Sequence, residues 1–159
     1  MKKAIIISCI LVLVSASLAF SQSEKKGTVI GTYGLGASFN TTVETKTLVS
    51  MAFDLNLISK MGFTLCFTDV IGFNFTGYFT QNIMFGPGYH YMRDKWNIGG
   101  ALLFSPTTQD MIIAGKVDGG YYFTDNIGIT GIIMYGQTTG LGWDLSLLNI
   151  YTGISIRLY

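Results

Sequence analysis

Apolar residues alternate with small or polar residues along almost the whole chain after residue 27. In the closing segment, NIYTGISIRLY, one face would carry Ile150, Thr152, Ile154, Ile156 and Leu158, and the other Tyr151, Gly153, Ser155 and Arg157. A repeat of two residues is typical of a β-strand. Eight segments show this repeat, and after residue 27 no apolar run reaches the roughly 18 residues of a membrane helix. The sequence therefore predicts an all-β fold of eight strands.

The connections between these segments alternate in length. Three are short and polar, with the sequences ISK near Ser59, RDK at 93–95 and TDN at 124–126. Four are longer, at 40–46, 69–80, 105–110 and 137–144. Polar turn residues at regular intervals favour hairpins between neighbouring strands. This arrangement predicts an antiparallel up-and-down meander with both termini on the short-turn side.

The less apolar face of each segment carries Gly, Ser, Thr, Ala and Asn, with few charges. Only 12% of the residues are charged, against about 25% in an ordinary soluble domain. Such a face would make a poor solvated surface but would fill a narrow eight-stranded barrel. Closure pairs all backbone groups, as hydrocarbon requires. The sequence thus predicts a transmembrane β-barrel; a secreted lipocalin-like lipid-binding barrel, apolar inside and polar outside, is a further alternative.

Aromatic residues lie near both ends of the apolar face, as in the two interfacial girdles of a membrane barrel. The predicted girdle residues are Tyr89, Tyr91, Trp96, Tyr121 and Phe123 on the short-turn side, and Phe39, Phe67, Phe104, Tyr135 and Trp143 on the loop side.

The first residues have the pattern of an export signal. Lys2 and Lys3 precede an apolar run at 4–14 and then small residues up to Ala19. The run is too short to span a bilayer, so residues 1–21 are predicted to be a signal peptide and residues 22–159 the barrel. The mature chain would keep a single cysteine, Cys66, which excludes a disulfide within the chain.

On these features the chain resembles the small eight-stranded outer-membrane barrels of bacteria, the OmpA-domain, OmpX and OmpW group. Tyr159 matches the terminal aromatic residue of that group, although it lies in the opposite frame from Leu158 and Ile156. The resemblance implies location in the bacterial outer membrane, contact with its lipids and recognition by the barrel assembly machinery.

Four charged residues fall on the inward face: Asp54, Lys116, Asp118 and Arg157. Because an unpaired charge is costly in a lumen of low dielectric constant, they are expected to form one cluster, close to Tyr122 and Tyr151. The cluster would be either an internal salt-bridge network or a gate for small solutes.

His90 is the only histidine and falls on the inward face near a short turn. Some barrels of similar architecture are lipid A-modifying enzymes that use a histidine near the outer surface, but His90 lies at the opposite end. We therefore expect a hydrogen-bonded lumenal histidine and no enzymatic activity. No metal-ligand spacing or cofactor motif is present, and a net charge of +1 offers no signal for nucleic acid.

The segment 69–80 is rich in aromatic residues: Phe73, Phe75, Tyr78 and Phe79. Either the flanking strands extend beyond the bilayer, or a loop packs over the barrel mouth and contacts apolar ligands. The sequence favours a structural or surface-interaction role with a side-chain-filled lumen. The main alternative, implied by the OmpW resemblance, is a narrow channel for small or hydrophobic solutes. Nothing in the sequence indicates an oligomeric state.

Overall fold

The computed structural model describes residues 27–40, 47–73, 79–106, 111–139 and 146–159. It contains eight β-strands: β1 (Thr28–Asn40), β2 (Thr47–Ile58), β3 (Phe63–Phe73), β4 (Phe79–Arg93), β5 (Trp96–Pro106), β6 (Met111–Tyr122), β7 (Ile127–Thr139) and β8 (Ser146–Leu158). No helix within these ranges is long and apolar enough to cross a membrane. The predicted signal peptide, residues 1–21, lies outside the described residues.

Each strand pairs in antiparallel register with its neighbours in sequence, and β1 also pairs with β8. Ile30 lies opposite Arg157 at one end of this closing seam, and Ala37 lies opposite Ile150 farther along. The sheet therefore has no free edge, and backbone groups along the ladders bond between strands. The predicted eight-stranded antiparallel up-and-down barrel is confirmed.

Tight turns join the strands at one end of the barrel. Gly62, with φ 89°, completes the turn after β2, and Asp94, with φ 43°, completes the turn after β4. Both lie in the left-handed region, which glycine adopts freely and aspartate tolerates better than most residues. The longer connections run through 41–46, 74–78, 107–110 and 140–145, outside the described residues.

The predicted loop 69–80 is shorter than expected, because β3 continues to Phe73 and β4 begins at Phe79. Alternation persists there: Val70 is buried, whereas Ile71 and Phe73 are only partly covered. The strands thus continue into this segment, and residues 74–78 between them lie outside the described residues.

The apolar faces point outward. Ile98, Val117 and Ile154 expose 60%, 59% and 63% of their surface, whereas Asp54 and Lys116 expose 0% and 2%. A barrel in water would have the opposite distribution. A lipocalin-like arrangement, with apolar side chains lining the interior and polar ones outside, does not match this surface.

Candidate functional site

The lumen holds an ion-pair network centred on Lys116. Its ammonium group lies 2.8 Å from each carboxylate oxygen of Asp54, 3.0 Å from Asn56 Oδ1 and 3.5 Å from Asp118 Oδ1. Asp54 also accepts hydrogen bonds from Thr68 Oγ1 at 2.5 Å and from Asn56 Nδ2 at 2.6 Å. Charge-assisted hydrogen bonds of this kind offset much of the cost of burying the ions.

His90 extends the network toward the short-turn end. Its Nε2 lies 2.8 Å from Asp118 Oδ2, and its Nδ1 lies 3.0 Å from Thr64 Oγ1. His90 and Asp118 are brought together across β5, because His90 is opposite Gly99 and Gly99 is opposite Asp118. A β-carbon at Gly99 would overlap the imidazole ring. The missing side chain in β5 therefore allows contact between residues of β4 and β6.

Asp54, Lys116, Asp118 and His90 form what we call the polar network. Two carboxylates face one ammonium group and one imidazole, so this group of side chains is electroneutral when His90 carries a proton. Sequence reasoning placed the first three together and left His90 apart. The signal that could have joined it is the glycine at position 99, which lies opposite His90 on one side and Asp118 on the other once the registers of the β4–β5 and β5–β6 pairs are known.

Arg157 lies elsewhere, contrary to the expectation of a single cluster. Its Nε donates to the carbonyl of Asp125 at 2.9 Å, and its NH1 group donates to the carbonyl of Asp94 at 2.9 Å. Its guanidinium lies 4.1 Å from the ring centroid of Tyr122. Among the described residues it bonds no carboxylate. Its position near the end of β8 directs it to the carbonyls of two tight turns, so it closes the short-turn end of the lumen.

Above the polar network, toward the long loops, most buried side chains are apolar, and Ser38, Ser50, Ser105 and Asn149 are buried there as well. We call the buried apolar side chains there the apolar layer: Ala52, Cys66, Val70, Met84, Leu103, Ile112, Ala114, Ile132, Met134 and Tyr151. Below the network, Ile30, Ile58 and Tyr122 form a smaller apolar group beside Arg157. Tyr122 and Tyr151, predicted together, thus lie in different groups of side chains.

The predicted aromatic residues of the short-turn side are on the outer surface. Tyr89, Tyr91, Trp96 and Phe123 are exposed and Tyr121 is half-buried. Trp96 and Tyr121 have ring centroids 4.7 Å apart. Phe63, which the sequence analysis overlooked, stacks edge-on with Tyr89 at 5.9 Å. The ring contacts form two groups, Phe63 with Tyr89 on β3 and β4, and Trp96 with Tyr121 and Phe123 around the short-turn ends of β5 and β6.

The aromatic residues predicted for the loop side do not all lie at strand ends. Phe39, Phe104 and Tyr135 face outward near strand ends, and Phe73 lies opposite Phe79 where β3 and β4 end and begin. Phe67 is wrongly placed by the sequence, because β3 extends six residues past it and leaves it in the middle of the strand. Trp143, Phe75 and Tyr78 lie outside the described residues.

Solved structures with the same fold include bacterial outer-membrane proteins. Neisserial surface protein A matches with a TM-score of 0.64 and 8% identity over 84% of this chain and 100% of its own. Ail, the attachment invasion locus protein of Yersinia pestis, in complex with the heparin analogue sucrose octasulfate, matches with a TM-score of 0.61 and 11% identity over 84% of this chain and 100% of its own. OprG of Pseudomonas aeruginosa matches with a TM-score of 0.52 and 8% identity over 85% of this chain and 97% of its own.

No protein-family model and no curated protein sequence matches the chain. At 8–11% identity the structural likeness concerns the arrangement of strands, over nearly the full length of each neighbour. The chain has the fold of the small eight-stranded outer-membrane β-barrels.

Proposed function

We propose that the protein is an integral barrel of a bacterial outer membrane, with a sealed lumen and a structural or surface-interaction role. The observation that carries the proposal is the inverted distribution of side chains. Exposed apolar residues cover the outer surface, and a hydrogen-bonded ion network is enclosed within. Lipid acyl chains are the solvent that suits such a surface.

The sealed lumen argues against conduction of polar solutes. A solute passing along the axis would meet the apolar layer, then the polar network, then Tyr122 and Arg157. Leu103, Met134 and Lys116 are each 2% exposed or less. Side chains rather than water fill an eight-stranded barrel of this kind. The narrow channel therefore ranks second to a closed barrel.

The polar network is not placed for catalysis. Thr64, His90 and Asp118 have the order of a hydroxyl–imidazole–carboxylate triad. However, Thr64 Oγ1 also lies 3.0 Å from the carbonyl oxygen of Gly62, and the three residues expose 6%, 1% and 2% of their surface. A nucleophile needs a substrate within reach. Burial inside the barrel supports a non-enzymatic protein.

The hairpin of β3 and β4 offers a surface for interaction. Asp69 faces outward and accepts hydrogen bonds from Gln81 Nε2 at 3.0 and 3.2 Å. A carboxylate is costly in hydrocarbon, so this pair marks the loop-side border of the lipid-facing band. Ile71 and Phe73 of β3 lie beyond it, where the hairpin would project from the membrane.

The sequences between strands on that side carry three acidic residues, Glu44, Asp110 and Asp144, and one lysine, Lys46. They also carry Phe75, Tyr78 and Trp143. This composition favours partners recognised through apolar and aromatic contacts over polyanions.

Planar-bilayer recording and detergent gels test the proposal. We expect heat-modifiable migration, fractionation with the outer membrane and no stepwise conductance from the purified protein. Stepwise conductance of the unmodified protein would favour the channel, and a chain that stays soluble without detergent would overturn the membrane assignment.

A further inference from the structure

A groove lies on the outer surface of the barrel over β4, β5 and β6, at the short-turn end. Its volume is about 610 Å³, and Tyr91, Trp96 and Tyr121 line it together with Ile98 and Gly119. Ile98 and Gly119 are directly opposed in the β5–β6 ladder, and Trp96 is opposed to Tyr121 two residues nearer the turns. Aromatic rings thus border the groove, and its base at Gly119 has no side chain.

The barrel itself does not need a glycine in this floor. A β-carbon at Gly119 would meet nothing nearer than the carbonyl oxygen of Asn97 at 3.7 Å. Gly119 lies directly opposite Gly131 in β7, where a β-carbon would meet nothing within 4 Å. The lumenal Gly99, by contrast, is required by the His90 ring. Gly119 therefore leaves a depression in the outer surface that no other side chain of the barrel requires.

A cation stands at the mouth of the groove. Arg93 lines it, is exposed, and ends β4 at the short-turn side. It forms no ion pair or side-chain hydrogen bond with the described residues. An unpaired guanidinium beside an apolar groove is complementary to a molecule with an anionic end and a hydrocarbon body. Guanidinium groups bind phosphate oxygens well.

We propose that this groove, which we call the Gly119 groove, binds one glycerophospholipid of net negative charge from the leaflet that faces the short turns. The phosphate lies at Arg93, and one acyl chain lies over Ile98 and Gly119 toward Gly131, between the rings of Tyr91 and Tyr121. The inference rests on the proposed membrane location and adds a specific lipid site to it.

Native mass spectrometry of the detergent-purified protein with added phosphatidylglycerol tests this site. We expect one lipid to be retained per barrel, and Gly119→Leu to weaken its binding about tenfold by filling the groove. Gly31→Leu is the matched control, because Gly31 lies on the outer face outside the groove and has nothing within 4 Å of its β-carbon. It should retain lipid as the unmodified protein does.

Arg93→Gln supplies a second test that does not change the shape of the groove. It should reduce retention of phosphatidylglycerol to the level of phosphatidylcholine, whereas Lys60→Gln, in the exposed turn between β2 and β3, should not. If Gly119→Leu does not fold, as judged by heat-modifiable migration, the comparison of Arg93→Gln with Lys60→Gln alone tests the site.

Unchanged lipid retention in Arg93→Gln, or equal losses in Gly119→Leu and Gly31→Leu, would overturn the site. So would a dimer of the unmodified protein that Gly119→Leu converts to monomer without loss of lipid, because a second copy would then occupy the groove. These results leave the membrane location intact, whereas failure to partition into detergent would refute the location itself.

Discussion

The two main levels of the lumen are held together by different interactions. In the polar network each side chain is held by directional hydrogen bonds. Lys116 Nζ lies 2.8 Å from both carboxylate oxygens of Asp54, and His90 Nε2 lies 2.8 Å from Asp118 Oδ2. In the apolar layer, Leu103 and Met134 make non-directional contacts that depend mainly on side-chain volume. The same two-residue alternation therefore produces one level that should not tolerate the loss of a partner and one that should tolerate a change of shape.

The largest expected effect is at the centre of the polar network. Lys116→Met leaves Asp54 and Asp118 buried without their ammonium partner, which should lower the free energy of unfolding by about 3–5 kcal/mol. Urea unfolding in lipid vesicles, followed by the gel-migration shift, measures the loss. Lys60→Met removes an exposed lysine and should change little. A loss for Lys116→Met as small as that for Lys60→Met would mean that the network does not stabilise the barrel.

The apolar layer should respond to volume instead. Leu103→Ala, at a fully buried position, should cost about 3 kcal/mol because a cavity remains. Leu103→Met nearly conserves volume and should cost less than about 1.5 kcal/mol in the same unfolding assay. Equal losses for these two variants would show that the layer depends on exact side-chain fit, and the contrast with the network would disappear.

The sequence predicts the face of each residue better than its height along the barrel axis. Alternation alone assigns Asp54, Lys116, Asp118, Arg157 and His90 to the interior, because orientation depends only on the two-residue period. Height depends on the register of each hairpin and on the stagger of the closed sheet. That is why Arg157 could not be separated from the acids, nor His90 joined to them, before the register was known.

The same limit explains the error at Phe67. The outward direction of Phe67 follows from the two-residue period, but its height along the barrel axis can be assigned only when the end of β3 is known. The polar residues Asp69 and Gln81 made the continuation of β3 and β4 look like a loop. A surface feature such as the groove at Gly119 is even harder to predict from the sequence. A glycine with open space around it looks like any other glycine in a sequence.

The contact between His90 and Asp118 should be sensitive to one methyl group in β5. Gly99→Ala would force the imidazole away from its position and should cost about 1–3 kcal/mol. Gly131→Ala adds the same methyl group on the outer face, where nothing lies within 4 Å, and should be close to neutral. The difference between these two variants in urea unfolding measures how tightly His90 is held. If both are neutral, the imidazole has space to move and the glycine is not required for its contact.

The smallest effect is expected at the short-turn end, where Arg157 is separate from the polar network. Arg157→Lys keeps the charge but loses the forked hydrogen bonds to the carbonyls of Asp94 and Asp125, which should cost about 1 kcal/mol. In a double-mutant cycle, Arg157→Lys and Asp54→Asn should be additive within about 0.5 kcal/mol, whereas Lys116→Met and Asp54→Asn should couple by more than that. Strong coupling between Arg157 and Asp54 would join the two groups into one network. Additivity would establish that the barrel closes its short-turn end with backbone carbonyls and an aromatic ring, independently of the ions held above.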